Sequence, residues 1–347
     1  MLMKSVLQAL ALAAVALAQD SFRLQSWNIR YDSLPDGTSV DSTLGSLDQS
    51  IPQDGGPYYA DYEEQPWSKR RIGVVNDVIF NRADIFTVNE ALKRQVDDIK
   101  ELLNQLSGQT WDYIGVGRDD GKEKGEYQAI FYNKQKAYRK SDYTIWLSDT
   151  PFEPSKHKDA GAYRSTTVAR FETVSGTPFT IINTHLDHVS NDQRKLSASL
   201  LRQLGAHEHQ HGDGPVFLVG DLNSPPEGQD SGAYKIAVGS ENTVSINETF
   251  AQRFDASNAK NFVFSDLLGE TDAAQRSGHH GTFNKFEPIS SPDAVGDRID
   301  FQFAGTIKGE SSKKYKVERT RVAEVFYDLG YRISDHRPII SDISIQK

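Results

Sequence analysis

Apolar and polar positions change period repeatedly along this chain, and the changes mark its elements. Residues 22–27 largely alternate, as a half-buried strand does, and end at Asn28, with Arg30 and Tyr31 just beyond. Ile72, Val75 and Ile79 recur at helical spacing and predict a helix over residues 67–81. Residues 84–88 form a short strand that ends at Asn89-Glu90, and Leu92, Val96, Ile99, Leu103 and Leu106 mark an amphipathic helix stopped by Gly108. Strands are predicted over residues 111–116, 127–132 and 143–147, and a hairpin over 166–174 and 179–183. A third helix runs through Leu196, Leu200 and Leu204. Residues 215–219 are a continuous apolar run, the mark of a buried strand. Beyond it the pattern weakens. Residues 262–268 read as strand or short helix, 299–303 alternate, 315–325 read as a long polar strand, and 339–345 close the chain as a strand. Strands alternating with helices predict an α/β domain, and no repeat or linker divides it. Residues 32–64 have no apolar period and include Tyr58, Tyr59 and Tyr62. They read as a surface insertion, with a lid over a site as the sharper alternative.

The N-terminus changes the picture. Lys4, a short apolar run and Ala16-Leu17-Ala18 form a secretory signal peptide over residues 1–18, leaving a mature domain over 19–347. The run is too short to span a bilayer, so a secreted, extracellular protein without a membrane segment is expected. The 347 residues contain no cysteine, which excludes thiol catalysis and zinc–thiolate sites. Asn247-Glu248-Thr249 is an N-glycosylation sequon, so a glycoprotein is expected. A formal charge of −9 argues against broad nucleic-acid binding through a basic surface, although a bound cation can supply local positive charge.

The candidate chemistry gathers at strand ends. Gly220-Asp221-Leu222-Asn223-Ser224 follows the buried run, and its carboxylate and amide are hard oxygen donors. Asn28, Glu90, His185, Asp335 and His336 occupy similar positions, while Asp300 sits inside a strand. Each has a plain reading: Asn28 as a turn cap, Glu90 as a helix cap, His185 as a core histidine, Asp300 as the partner of Arg298 or Arg337. Their recurrence at one kind of position points to a site at the carboxyl ends of an α/β sheet. His207, His209 and His211 alternate at a helix end, a spacing that spreads them over different faces and predicts no metal site.

Trp27-Asn28-Ile29, Asn89-Glu90, Asn183-Thr184-His185-Leu186-Asp187, Gly220-Asp221-Leu222-Asn223-Ser224, Arg298-Ile299-Asp300 and Ser334-Asp335-His336-Arg337-Pro338 occur in one order. This order resembles that of the endonuclease/exonuclease/phosphatase superfamily. That superfamily includes deoxyribonuclease I-like nucleases, carbon catabolite repressor-type deadenylases, inositol polyphosphate 5-phosphatases and neutral sphingomyelinases. Residues 125–132 and Trp146-Leu147-Ser148 are similar to a secreted, deadenylase-related branch. The resemblance implies a four-layer sandwich of two mixed β-sheets flanked by helices. Asn89 departs from the pattern, which has Gln before the metal-binding Glu.

The resemblance also implies roles. Asn28, Glu90 and Asp335 would hold Mg²⁺ or Mn²⁺. Asp221 would orient or deprotonate water, Asn223 would hold a phosphate oxygen, and His336, oriented by Asp300, would contact phosphate or move a proton. His185 would donate to phosphate, and Tyr127 and Arg164 would add phosphate contacts. The expected activity is metal-dependent phosphodiester hydrolysis of nucleic acid, in the manner of a 3′–5′ exoribonuclease. Tyr58, Tyr59 or Trp146 would be available to stack a base. A phosphatase on a small phosphorylated metabolite, of the sugar or inositol phosphate type, shares the same core. A catalytically silent binding module is the alternative of another class, but it would lack a core His or Asp, and all are present. A monomer is expected.

Overall fold

The computed structural model describes residues 20–47, 63–286, 296–310, 312–324 and 331–346. The expected signal peptide and Tyr58, Tyr59 and Tyr62 lie outside the described residues. The first sheet contains β1 (Asp20–Asn28), β2 (Ile85–Asn89), β3 (Trp111–Ile114), β4 (Ile130–Asn133), β10 (Arg276–Gly278), β12 (Tyr315–Val322) and β13 (Ile339–Ile345). The second contains β5 (Ala137–Trp146), β6 (Ser165–Thr173), β7 (Pro178–His185), β8 (Val216–Asp221), β9 (Phe262–Asp266) and β11 (Asp300–Ile307). Their orders are β10-β12-β13-β1-β2-β4-β3 and β5-β6-β7-β8-β11-β9, and both sheets mix parallel with antiparallel pairs.

Helices α1 (Val40–Gly45), α2 (Trp67–Asn81), α3 (Lys93–Leu106), α4 (Asn191–His211), α5 (Gly232–Ala237) and α6 (Glu248–Arg253) lie outside the sheets, and the short α7 (Leu267–Glu270) packs between them through Leu267. Three apolar clusters fill the spaces between layers. Leu24, Ile85, Ile130, Ile181, Phe217 and Ile343 belong to the cluster between the sheets. Val75, Val78, Val96 and Leu103 pack with strand residues of the first sheet. Leu196, Leu200 and Leu204 pack with strand residues of the second. This is the four-layer sandwich expected from the sequence.

The period-based elements stand where the sequence places them, and α2 has the predicted bounds. The short helices α5 and α6 had no sequence signal, because six residues are too few to show a helical period, and residues 262–268, read as strand or short helix, hold β9 and the start of α7. The surface insertion over residues 32–64 contains α1, with Ser39 as its N-cap, a helix that the missing apolar period did not mark. His207 and His211 share a face of α4, with ring centroids 4.4 Å apart, and so are not spread as the spacing suggested.

On the buried face of α2, Asp77 is a carboxylate that accepts from Gln25 Nε2 at 2.7 Å and Asn81 Nδ2 at 2.9 Å. Burial outweighs these bonds and raises its pKa to about 6. Such a group opposes folding increasingly as pH rises from the unfolded value near 4 through 6. Asp77→Asn is therefore expected to stabilise the protein at pH 8 by up to about 3 kcal/mol, with the gain vanishing near pH 4. Denaturant melts at both pH values test this, and an equal shift at both would refute it.

Candidate active site

Hydrogen-bond register builds the first half of the site. β8 is buried throughout, so it runs central in its sheet, parallel to β7 and antiparallel to β11. The register pairs Asp221 with His185 on one side and with Asp300 on the other. Three candidate residues thus form one row across the sheet. In the other sheet, Asn28 of β1 is in register with Asn89 of β2, and Glu90 follows directly. Glu90 has φ +64° and Asn223 φ +47°, a left-handed backbone that turns each chain sharply at its strand end.

Asn89 joins the two sheets. Its Nδ2 donates to Thr184 O at 3.0 Å and Asn183 Oδ1 at 3.2 Å, and its Oδ1 accepts from Asp221 N–H at 3.1 Å. The shorter amide at this departure from the family pattern therefore fixes the ends of β7 and β8 together. Gly220 permits that approach. It has φ +124°, and a Cβ there would lie 2.0 Å from Thr184 O.

At the centre, His336 Nδ1 lies 2.8 Å from Asp300 Oδ2, and its Nε2 faces Asp221 Oδ2 at 3.8 Å. Thr282 Oγ1 accepts from the Asp300 N–H at 2.9 Å, and Trp27 Nε1 donates to His336 O at 2.9 Å. Phe283 packs on the His336 ring, with centroids 4.6 Å apart. Asp300 thus pairs with His336. Arg298 pairs instead with Asp266 and Arg337 with Glu324, so the plain reading of Asp300 does not hold. Burial disfavours a charged His336 ring, but the Asp300 carboxylate outweighs it and raises the pKa to about 10. Asp221 is buried and close to Asp300, and both effects raise its pKa to about 7.

Asn28 Nδ2 donates to Glu90 Oε1 at 2.9 Å and Asp221 Oδ2 at 3.1 Å, and Asn28 Oδ1 accepts from Arg30 N–H at 3.1 Å. The amide nitrogen, not the oxygen, faces the carboxylates. Ser334 Oγ donates to Asn28 O at 2.7 Å and brings Asp335 to the same place. Burial raises the Asp335 pKa, partly offset by His336. His185 is buried, and burial followed by the Arg164 charge lowers its pKa well below the ordinary value. The ring is therefore neutral. Asn223 Nδ2 sits 3.2 Å from its Nε2 and donates to Leu186 O at 3.0 Å, while Glu126 Oε2 lies 3.4 Å from its Nδ1. An amide donor at Nε2 places the ring proton on Nδ1. This differs from the expected donation by His185 to phosphate, because Nε2 acts here as an acceptor. Both Asn223 amide hydrogens are taken as well, so this side chain bonds a phosphate oxygen only by exchanging one of those contacts.

These groups open into a cavity of about 410 Å³, lined by Arg30, Tyr31, Glu90, Arg118, Glu126, Arg164, His185, His188, Asp221, Asn223, Phe283, Ile299, Asp335 and His336. Arg164 reaches it as expected. Tyr127 does not: its ring is buried in the core under α2 and α3, and its hydroxyl donates to Lys122 O at 2.9 Å. Trp146 is buried too and donates from Nε1 to Arg118 O at 2.7 Å, which removes it as a base-stacking surface. Arg30, Tyr31, Arg118, Glu126, His188 and Phe283 were not singled out as site residues. They come from loops without a period, and Arg30 and Tyr31 were noted only as residues just past the first strand.

The donor set fits a hard divalent cation. Glu90, Asp335 and Asp221 line one cavity, and burial leaves two of these acids with raised pKa values, a sign that they lack positive charge. Asp221, Asp300 and His336 also bring ligand atoms within 4.8 Å of one another. In that trio the ring is a cation bonded to Asp300, which makes it an acid–base group rather than a ligand. No helix among the described residues is long and apolar enough to cross a membrane.

A model of the Endonuclease/Exonuclease/phosphatase family matches residues 26–336. Among solved structures, an endonuclease/exonuclease/phosphatase from Bacteroides vulgatus is 27% identical with a TM-score of 0.67, over 94% of this chain and 99% of that one. A mannosyl-6-phosphatase from Bacteroides thetaiotaomicron is 27% identical with a TM-score of 0.65, over 94% and 100%. The human Nocturnin catalytic domain is 15% identical with a TM-score of 0.59, over 94% and 96%, a likeness of fold. No curated protein matches the chain in sequence.

Proposed function

The chain belongs to the endonuclease/exonuclease/phosphatase family of phosphoester-hydrolysing enzymes, and within it we propose a phosphatase acting on a small phosphorylated metabolite of the sugar-phosphate type. The observation that carries this reading is the end-to-end likeness to a mannosyl-6-phosphatase, against a much more distant likeness to Nocturnin. The cavity is of small-molecule size, and the formal charge of −9 does not favour a polynucleotide. The nuclease expected from the sequence rested on residues 125–132 and Trp146, and in the structure Tyr127 and Trp146 serve packing and loop anchoring.

In this proposal Glu90 and Asp335, with Asn28 beside them, hold a divalent cation of the Mg²⁺ or Mn²⁺ kind. For Asn28 this requires its amide oxygen to serve the cation besides the Arg30 N–H. The cation supplies charge neutralisation at the phosphate. Asp221, with a pKa of about 7, orients and deprotonates water near neutral pH. His336, held charged by Asp300, donates from Nε2 to a phosphate oxygen or to the leaving alcohol. His185 positions Asn223. Secretion belongs to the proposal on sequence grounds alone. A glycan at the half-buried Asn247 would have to coexist with its cap on α6 and with its bond from Nδ2 to Asp149 O, 3.0 Å long.

The test is hydrolysis of hexose 6-phosphates, a generic phosphodiester and single-stranded RNA with Mg²⁺, with Mn²⁺ and with chelator. Chelator-sensitive release of inorganic phosphate from the hexose phosphate, at least about tenfold above the diester in kcat/KM, is expected. Cleavage of RNA and the diester without monoester turnover would overturn the proposal.

A further inference from the structure

Resting on that reading, the geometry points to Arg118 as the residue that selects phosphate monoesters over diesters, acting with Arg164 as a clamp for the second negative charge of a monoester. Both arginines line the cavity that contains Glu90, Asp221 and Asp335. Both are tethered by carboxylates, and Asp119 Oδ1 also lies 3.7 Å from Arg118 Nε, beyond hydrogen-bond distance. Arg118 Nη1 donates to Glu126 Oε2 at 2.5 Å, and Arg164 Nε donates to Asp187 Oδ2 at 3.5 Å with Nη2 2.9 Å from His188 Nδ1. Arg118 Nε and Arg164 Nη1 are buried donors without a hydrogen-bond partner. Buried guanidinium donors left unbonded are costly, and two of them on residues that line one cavity call for an anion. The two charges also act on one another: after burial and the opposing Glu126, the Arg164 charge depresses the Arg118 pKa. An oxyanion lodged between them relieves that repulsion.

The loop that carries Arg118 is built to hold it still. Asp120 Oδ1 accepts from the Lys122 and Lys124 N–H groups at 2.8 and 3.0 Å, and Trp146 Nε1 holds the Arg118 carbonyl. A Cβ at Gly117 would lie 2.3 Å from Lys124 O, so only glycine permits this turn. A rigid loop presenting one planar cation suits recognition of fixed phosphate oxygens. A diester phosphate carries one charge. A monoester carries nearly two at neutral pH, because its second ionisation lies near pH 6. The added charge is what a second arginine would read.

The experiment compares kcat/KM for a hexose 6-phosphate and for a generic phosphodiester in the wild type, in Arg118→Met, in Arg118→Lys and in the double variant Arg118→Met/Glu126→Gln. The double variant removes the carboxylate that Arg118→Met alone would leave unpaired next to His185. Both substrates are expected to lose rate, but the monoester-to-diester ratio should fall about 30-fold or more in Arg118→Met and in the double variant, with Lys intermediate. Inhibition by inorganic phosphate should weaken in parallel. A ratio unchanged from wild type, with both substrates losing rate equally or not at all, overturns the assignment while leaving the phosphatase reading intact. A wild type that cleaves only the diester overturns both.

Discussion

Asp221→Asn is expected to lower phosphoester turnover by about 10²–10⁴-fold and, in the metal-free protein at pH 8, to raise the melting temperature. The two effects have one origin. Asp221 is buried beside Asp300, which pushes its pKa up to about 7. That value suits a base working near neutral pH, and it also means that ionising the carboxylate strains the fold. Relative to an unfolded value near 4, the folded state favours the protonated acid, so the penalty grows as pH rises from 4 through 7 and is full above it. Asparagine removes the charge but keeps only one acceptor for the two bonds from Asn28 Nδ2 and Asn223 N–H. A net gain of about 1–3 kcal/mol at pH 8, absent near pH 4, balances these contributions. Thermal melts with chelator at both pH values, beside kcat with metal, test the pair of effects. An inactive variant that is also less stable at pH 8 would show that Asp221 is held mainly by its hydrogen bonds and not strained by its charge.

The same burial explains what the sequence could and could not show. Asn28, Glu90, His185 and Asp221 were legible because each stands at or just past a recognisable strand end, and register does the rest, while Asp335 was marked by its motif and is brought in by the Ser334 bond to Asn28. Asp300 was legible as an odd residue, a carboxylate inside a buried strand, although its partner is His336 and not an arginine. Tyr127 was misplaced because one step along an extended segment decides which face a side chain takes, and its ring turned to the core. Arg118, His188 and Phe283 could not be placed in the site, because their positions depend on loops whose paths are set by contacts distant in sequence. Asn89 read as a defect in the pattern. Only the packed sheets show that its amide reaches Thr184 and Asp221 together, through a gap that Gly220 leaves open.

Asp300→Asn should lower kcat/KM by about 10³–10⁴-fold at neutral pH, with a change in pH profile that separates loss of charge from loss of shape. In the wild type the Asp300 carboxylate overcomes the burial of His336 and holds the ring charged up to about pH 10. From pH 6 to 8 the His336 contribution should therefore be flat. With asparagine the amide still reaches Nδ1, but the ion pair is lost and burial acts on the ring with less opposition, so its pKa falls toward or below the ordinary value near 6.5. Residual activity that depends on a charged His336 should then decline with rising pH across that range. The sign is distinctive, since Asp221 acting as a base makes activity rise with pH in the wild type, and loss of the Asp300 charge lowers the Asp221 pKa and moves that rise to lower pH. His336→Gln serves as the control, because it removes the titrating ring and should abolish the declining limb. A variant profile parallel to the wild type, displaced only downward, would mean that Asp300 positions the ring without setting its charge.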